Sequence, residues 1–491
     1  MTEINRSTPR AGARDLPRPS GRALALAYLA ACLLPLALAA GRHVAPAHPW
    51  EAAAAALGLV ALSGMAVQFF TSGRFETVSG RLGIDKVMAF HKIAAWGLLL
   101  ALLLHPVFYV IPTWTESRTL GIERLIAYHT SPHYRSGIVA LAALVLLVPT
   151  AFLRDRLPWR YELWRATHLL LGLTAVGAGL HHALTVGRFS AGGALAGLWW
   201  GAAGAIVLVM AVLYGWRWAR LHRHPWHLQS VTRLADRTWE LDIQPGESTP
   251  QMDYKAGQFV WMTEGRGRFP LLDHPFSIAD SPARPGLSLI VKEAGDFTNR
   301  AGQLAPGTPI GIDGPHGSFT LEHRDADALL LIAGGAGIGP IMGLLRDLVA
   351  RRDRRPVRLA YAVGQPGNLA CLEEIEAAKD VIDLEVMLLS EADAPGFTGE
   401  VGRLDPARLD RLLGDLARGR TLALICGPGP MITGVSDALI GLGMPLDMVE
   451  YERFDYRGAL ASRRDRRRIY RFLGLFAVLA AAIVLAVPIL S

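Results

Sequence analysis

Seven apolar stretches organise the chain. They cover residues 23–40, 52–70, 87–110, 137–153, 163–185 and 194–216, with a last one at 472–490, and each approaches the roughly 20 residues an α-helix needs to cross about 30 Å of hydrocarbon. Six spanning helices and a separate seventh are predicted. Between Pro225 and Arg457 the texture changes. Short alternating segments such as 238–243, 258–262 and 287–292, set off by turn residues, predict a small antiparallel β-barrel. Buried-strand runs at 328–333, 358–363, 384–389 and 422–426 then alternate with helical patterns, which predicts a parallel α/β sheet. The expected organisation is a basic tail (1–22), a membrane all-α helical bundle of six helices (23–218), an antiparallel β-barrel domain (225–323), an α/β nucleotide-binding domain (324–457) and a C-terminal transmembrane helix (470–490).

Composition narrows the class. Charged residues make up 19% of the 491, against about 25% in soluble domains, so an ordinary soluble enzyme is excluded. The three cysteines, Cys32, Cys371 and Cys426, form no CxxC pair, which excludes a disulfide framework and a cysteine zinc site. The net charge of +7 resides in short arginine runs between apolar stretches; this is membrane topology rather than a nucleic-acid footprint. Arg6, Arg10, Arg14, Arg18 and Arg22 precede the first span. Arg74, Arg81 and Lys86 follow the second, Arg154, Arg156 and Arg160 the fourth, and Arg217, Arg220 and Arg223 the sixth. With six spans all four groups share one side, and the excess of positive charge in the short loops makes that side, with the N-terminus and the soluble domains, cytoplasmic. A multi-pass protein of the cell (inner) membrane is expected. A further run, 463–471, precedes the last helix. Trp50, Trp114, Trp159, Trp199 and Trp216 lie at span ends, as interfacial belts do.

Histidine inside a span marks function by default. His91 and His105 stand on the third span, His168, His181 and His182 on the fifth. A 14-residue gap turns a helix about 1400°, within about 40° of four full turns, and rises about 21 Å. His91 and His105 therefore share a face near opposite membrane surfaces. The third and fifth helices run in the same direction, so His91 can face His168, and His105 can face His181 or His182. Such pairs of neutral imidazoles suit two stacked b-type haems.

The segment from His91 through Trp96 to His105, and that from Tyr161 through His168 to His181, resemble the haem-bearing helices of the NADPH oxidase and ferric reductase superfamily, here a prokaryotic member. The resemblance implies a 13-residue gap on the second of these helices, which selects His181; helical arithmetic favours His182 instead. His181 is the preferred reading and His182 its rival.

The soluble half extends the resemblance to the ferredoxin reductase-type module. Gly257-Gln258, His274-Pro275-Phe276-Ser277 and the segment Val291-Lys292 to Gly295 and Thr298 are similar to its FAD-binding elements. Gly335, Gly337, Gly339 and Pro340 follow a strand and open a helix, a ready pyrophosphate site. Cys426-Gly427-Pro428 resembles the segment beside the nicotinamide, and Glu452-Arg453-Phe454 the closing Glu-x-aromatic whose ring covers the flavin. The resemblance thus implies Cys426, Glu452 and Phe454 as catalytic residues, with FAD, two b-type haems and NADH or NADPH as cofactors. It implies an NAD(P)H-dependent transmembrane oxidoreductase whose acceptor is oxygen or ferric iron. Competing readings are electron donation to a periplasmic or membrane protein partner, and a redox-sensing or transport protein. Lys and Arg are absent from 359–378, where selective relatives hold the 2′-phosphate, so NADH or a weak preference is expected.

Overall fold

The computed structural model describes residues 20–491 apart from 43, 45–47, 73, 75–82, 266, 323–324 and 454–461. Among these, seven helices are long and apolar enough to cross a membrane. The first six begin with α1 (Gly21–Ala40), α2 (Pro49–Gln68) and α3 (Ile84–Glu116). A short helix, α4 (Arg118–Thr130), follows where the sequence reads as a loop. It is too short and too polar to span, so the search for apolar stretches passes over it. α5 (Arg135–Phe152), α6 (Tyr161–Val186) and α7 (Gly193–Met210) complete the bundle. α7 continues through a π-helical turn, Ala211–Trp216, into α8 (Arg217–Arg223).

The bundle is built around α2. Its small residues, among them Ala52, Ala54, Ala56 and Ala61, are buried, which lets neighbouring helices pack closely on several sides. It packs against α1, α3, α6 and the last helix of the chain.

The β-rich domain holds β1 (Trp226–Ala235), β2 (Thr238–Pro245), β3 (Phe259–Glu264), β4 (His274–Ser277), β5 (Leu287–Lys292) and β6 (Pro309–His316). They form one antiparallel sheet in the order β4-β3-β6-β1-β2-β5. A bridge between Ile278 and Leu289 brings its two edges towards each other. Leu228, Leu241, Ile243, Val260, Met262 and Leu289 fill its interior.

The third unit is a parallel sheet ordered β10-β9-β8-β7-β11-β12. Its strands are β7 (Ala328–Gly334), β8 (Val357–Val363), β9 (Leu384–Ser390), β10 (Glu400–Val401), β11 (Thr421–Gly427) and β12 (Val449–Arg453). Helices α9 (Ile338–Arg351), α10 (Leu372–Ala378), α11 (Pro406–Leu413) and α12 (Gly429–Gly441) accompany them. Every residue of β7 and β11 is buried, as expected of central strands covered on both faces.

The last helix, α13, runs Arg463–Leu490, so the arginine run is part of the helix and not a lead-in. The capping box explains the early start: Ser462 Oγ accepts from the Asp465 amide while Asp465 accepts from the Ser462 amide, satisfying two orphan donors. Asp465 also binds Arg453 of β12 at 2.8 Å and accepts from the Tyr451 hydroxyl at 2.5 Å.

Candidate functional site

α3 and α6 carry the histidines, and both are unbroken helices. Near the soluble side the rings of His91 and His168 lie 6.3 Å apart between centroids. The Nδ1 atoms of both are buried and make no hydrogen bond among the described residues. Two imidazoles on neighbouring helices thus face each other across a narrow gap.

Near the other surface, His105 Nδ1 lies 2.7 Å from the Ala54 carbonyl of α2. That contact fixes Nδ1 as the protonated nitrogen and leaves Nε2 as the free donor pair. The two candidate partners sit differently here. His181 is exposed on the outward side of α6, whereas His182 turns inward and buries an Nδ1 that has no partner. His182 also lies within electrostatic reach of His105. The helix is continuous from Tyr161 to Val186, and a 14-residue spacing along it keeps His168 and His182 on one face. Two glycines make room for these rings. A Cβ on Gly58 would stand 2.8 Å from His105, and one on Gly137 2.8 Å from His182. Tyr109 packs on His105 with centroids 5.3 Å apart, and Tyr128 of α4 follows at 6.5 Å. Arg124 of α4 is anchored to Glu51 of α2 at 2.8 Å.

A single cavity of about 1300 Å³ connects the His91–His168 pair with the sheet domain. Its walls include His274, Pro275, Phe276, Ser277, Gly295, Thr298 and Glu452. Aromatic rings line the way. From His168 the next ring is Trp164 at 5.4 Å, then Tyr161 at 6.1 Å, His274 at 5.5 Å and Phe297 at 4.4 Å. The Arg154 guanidinium covers Tyr161 at 4.7 Å and Trp164 at 4.8 Å.

Two buried carboxylates join the membrane bundle to the sheet domain. Asp273, directly before His274, takes Arg74 from beyond α2 and Arg165 from α6, the latter at 2.7 Å. Arg165 further donates to the Asp273 carbonyl at 2.9 Å. Asp313 of β6 takes Arg217 at 2.9 Å and also Arg220. Burial opposes the charge on Asp313, but the nearby His316 ring and the Arg217 and Arg220 guanidiniums outweigh it and hold the carboxyl well below the usual carboxylate range. Arg74, Arg165, Arg217 and Arg220 all meet the soluble half, so the loops after the second and sixth spans and the start of α6 share its side.

The other expected residues of the sheet domain shape its turns and core. Gly257 adopts φ +87°, and a Cβ there would strike the Phe319 carbonyl at 2.0 Å. Gln258 does not line the cavity: its amide donates to the Gly317 carbonyl at 3.2 Å and its oxygen accepts from the Lys255 amide at 2.8 Å, which braces the turn. Val291 is core. Lys292 stands 3.8 Å from the place a Gly335 Cβ would take, so it reaches the glycine turn of the other domain. Thr298 Oγ1 accepts from the amides of Ala294 and Gly295 at 2.8 and 3.0 Å, shaping that turn.

In the α/β unit, Gly335 adopts φ +52° and a Cβ on Gly337 would lie 2.1 Å from the Cys426 carbonyl. Gly427 packs on Gly334, and Gly339 and Pro340 are buried in the first turn of α9. Cys426 is fully buried, and burial followed by the Glu452 charge pushes its thiol far up; it stays a neutral thiol. Pro428 precedes α12. Cys426 and Glu452 are register partners on β11 and β12, and Ser277 Oγ donates to Glu452 at 3.4 Å. Residues from both soluble domains thus meet at one point. Phe454 lies outside the described residues. The sequence reading missed Asp273, Asp313, Arg74 and Arg165 as an interface; their partners are more than 90 positions away.

Family comparison agrees with this order of parts. Residues 57–179 match a ferric reductase-like transmembrane component, residues 224–317 an FAD-binding domain and residues 331–437 an oxidoreductase NAD-binding domain. The chain is 31% identical over 224 residues to the reductase component of propane 2-monooxygenase from Mycolicibacterium smegmatis, covering 43% of this chain and 61% of that protein. It is 26% identical over 229 residues to a flavohemoprotein of Bacillus subtilis, covering 45% and 56%. It spans 50% to 62% of the length of the first curated relatives it matches. A flavohemoglobin crystal structure from Malassezia yamatoensis aligns with a TM-score of 0.46 at 17% identity, over 82% of this chain and 99% of that one.

Proposed function

Since the chain belongs to the superfamily that fuses a ferric reductase-like transmembrane component to FAD- and NAD-binding domains of the ferredoxin reductase type, we propose that it carries electrons from NADH or NADPH, by way of FAD and two b-type haems, to oxygen or ferric iron on the opposite face of the cell membrane. The observation that carries this reading is the one cavity shared by His91, His168 and the flavin-side residues His274 to Ser277, Gly295, Thr298 and Glu452.

The residues present fit the groups. The facing rings of His91 and His168, and the room that Gly58 and Gly137 leave for the rings of His105 and His182, suit bis-imidazole ligation between helices. His91 with His168 would hold the inner haem, His105 with His182 the outer. When bound, FAD accepts a hydride and haem iron exchanges single electrons, a division of labour that belongs to the cofactors. The chain's own residues position and insulate. His274 and Phe297 supply stacked rings for the flavin edge, and Ser277 with Glu452 forms a hydrogen-bonded pair between the two soluble domains. Cys426, kept neutral, packs where the nicotinamide ring would enter. Gly335 and Gly337 let the start of α9 approach a pyrophosphate.

The arginine-rich loops orient the soluble half to the cytoplasm. Outward transfer of negative charge is then favoured by about 2.3 kcal/mol per 100 mV of inside-negative potential. At the outer face Tyr109, Tyr128 and Arg124 line the approach to His105, which suits a small acceptor. The cofactor reading leans to NADH. Arg346 is fully engaged by Glu240 and Glu374 at 2.7 Å each, and Arg403 pairs with Glu391 at 2.8 Å, so neither cation is free for a 2′-phosphate.

Anaerobic addition of NADH to purified protein tests the reading. Flavin bleaching followed by reduction of two low-spin haems is expected, with reoxidation by oxygen or a ferric chelate. Purified protein without haem would end it.

A further inference from the structure

Electron transfer assigns no task to the arginine run at the start of α13. Arg463, Arg467 and Arg471 succeed one another every four residues, and all three are exposed. Each step of four turns the helix about 400° and climbs about 6 Å, so the three form one stripe. Like charges at this spacing destabilise a helix; the Asp437 carboxylate accepts from the Arg463 backbone amide at 2.8 Å, and among the described residues no carboxylate forms an ion pair with any of the three guanidiniums. Asp465, the acid of this first turn, is taken by Arg453, Tyr451 and Arg468.

The position of the stripe along the membrane normal is also defined. Immediately after it, Phe472 and Phe476 pack on Phe90 of α3 with centroids 5.2 and 5.8 Å apart, and Phe90 directly precedes His91. The stripe therefore ends where the apolar bundle begins, at the surface shared with the soluble domains. Tyr470, 69% exposed, sits on the same turn as Arg471, as interfacial aromatics do. The capping knot of Ser462 and Asp465 with Tyr451 and Arg453 of β12 keeps the stripe at this junction.

We infer that Arg463, Arg467 and Arg471 form a docking surface for anionic phospholipid headgroups of the leaflet that faces the soluble domains. Charge complementarity selects this occupant: a row of uncompensated guanidiniums at headgroup depth meets phosphodiesters on every acidic lipid, and guanidinium binds phosphate in bidentate fashion. A zwitterionic lipid offers the same phosphate with its charge cancelled.

Native mass spectrometry of the full chain, titrated with phosphatidylglycerol or phosphatidylcholine, tests this. Wild type should retain phosphatidylglycerol in preference. Because each juxtamembrane arginine contributes about fivefold, the variant R463Q/R467Q/R471Q should lose roughly 100-fold in that affinity, while the triple lysine variant keeps most of it. If the triple glutamine variant does not fold, Arg467→Gln alone should lose about fivefold. Unchanged retention by the glutamine variants, equal binding of both lipids, or displacement of the lipid by inorganic phosphate would each overturn the inference, the last by pointing to a soluble-anion site.

Discussion

Replacing Asp273 by Asn should uncouple the two halves of the chain while leaving each intact. Asp273 is 2% exposed and its one negative charge is shared by Arg74 and Arg165, whose side chains are only 11% and 13% exposed. Asn keeps the volume and one acceptor but removes the charge, so two guanidiniums remain buried against each other without a counter-ion. Breaking a buried pair in this way costs about 3–5 kcal/mol, which reduces the docking equilibrium of the sheet domain on the bundle by about 10²- to nearly 10⁴-fold. Arg165 stands one turn before His168 on α6, and Asp273 directly precedes His274, so this contact sets the gap between the flavin element and the inner histidine pair. Misplacement by about 1 Å can cost roughly 100-fold in rate. In stopped-flow measurements under anaerobic conditions, flavin reduction by NADH should stay within about twofold of wild type, while haem reduction slows at least tenfold. Asp273→Glu, which restores the charge, should recover part of the loss. Haem reduction at the wild-type rate in Asp273→Asn would refute the reasoning, and an equal fall in both steps would show general damage instead.

The outer ligand is separable by haem count: His182→Ala should lower the content from two haems to one, whereas His181→Ala should leave it at two, and the opposite pattern would return the role to His181. For the nicotinamide, kcat/KM should favour NADH or differ little, and a tenfold or greater advantage for NADPH, about 1.4 kcal/mol, would show that a cation reaches the 2′-phosphate. Asp313 has a folded pKa held below its ordinary value near 3.8, so it stabilises docking above about pH 4 and that contribution fades as pH falls further. Thermal unfolding of Asp313→Asn should therefore sit below wild type at neutral pH, with the difference shrinking in acid. Gly137→Leu should expel the outer haem through the clash at His182, read as loss of one haem spectrum with the helical circular dichroism retained.

Local periodicity made the spans, the strand alternation and the glycine turn legible, because each is set by neighbours a few residues apart. At His181 and His182 pattern by analogy and geometry diverge: the family spacing points to the first, whereas 3.6 residues per turn and burial favour the second. Gln258 was expected to touch cofactor because of its place in a motif, yet its amide closes a turn onto Gly317. The interface could not be read in advance. Asp273 meets Arg74 across 199 positions and Arg165 across 108, and a lone Asp before a short strand carries no periodic signal. α4 escaped for the opposite reason, since a search for apolar stretches passes over a helix as short and polar as Arg118–Thr130.

The knot between α13 and β12 bears on how far the soluble half can travel. It enters the membrane side through α8 and leaves through Ser462 and Asp465, so the nucleotide-binding domain is leashed at both ends. A doubly leashed domain samples a small volume, and its effective concentration at the sheet domain is correspondingly high. Any separation of the two soluble domains is then a short excursion rather than a free swing, with re-encounter correspondingly fast.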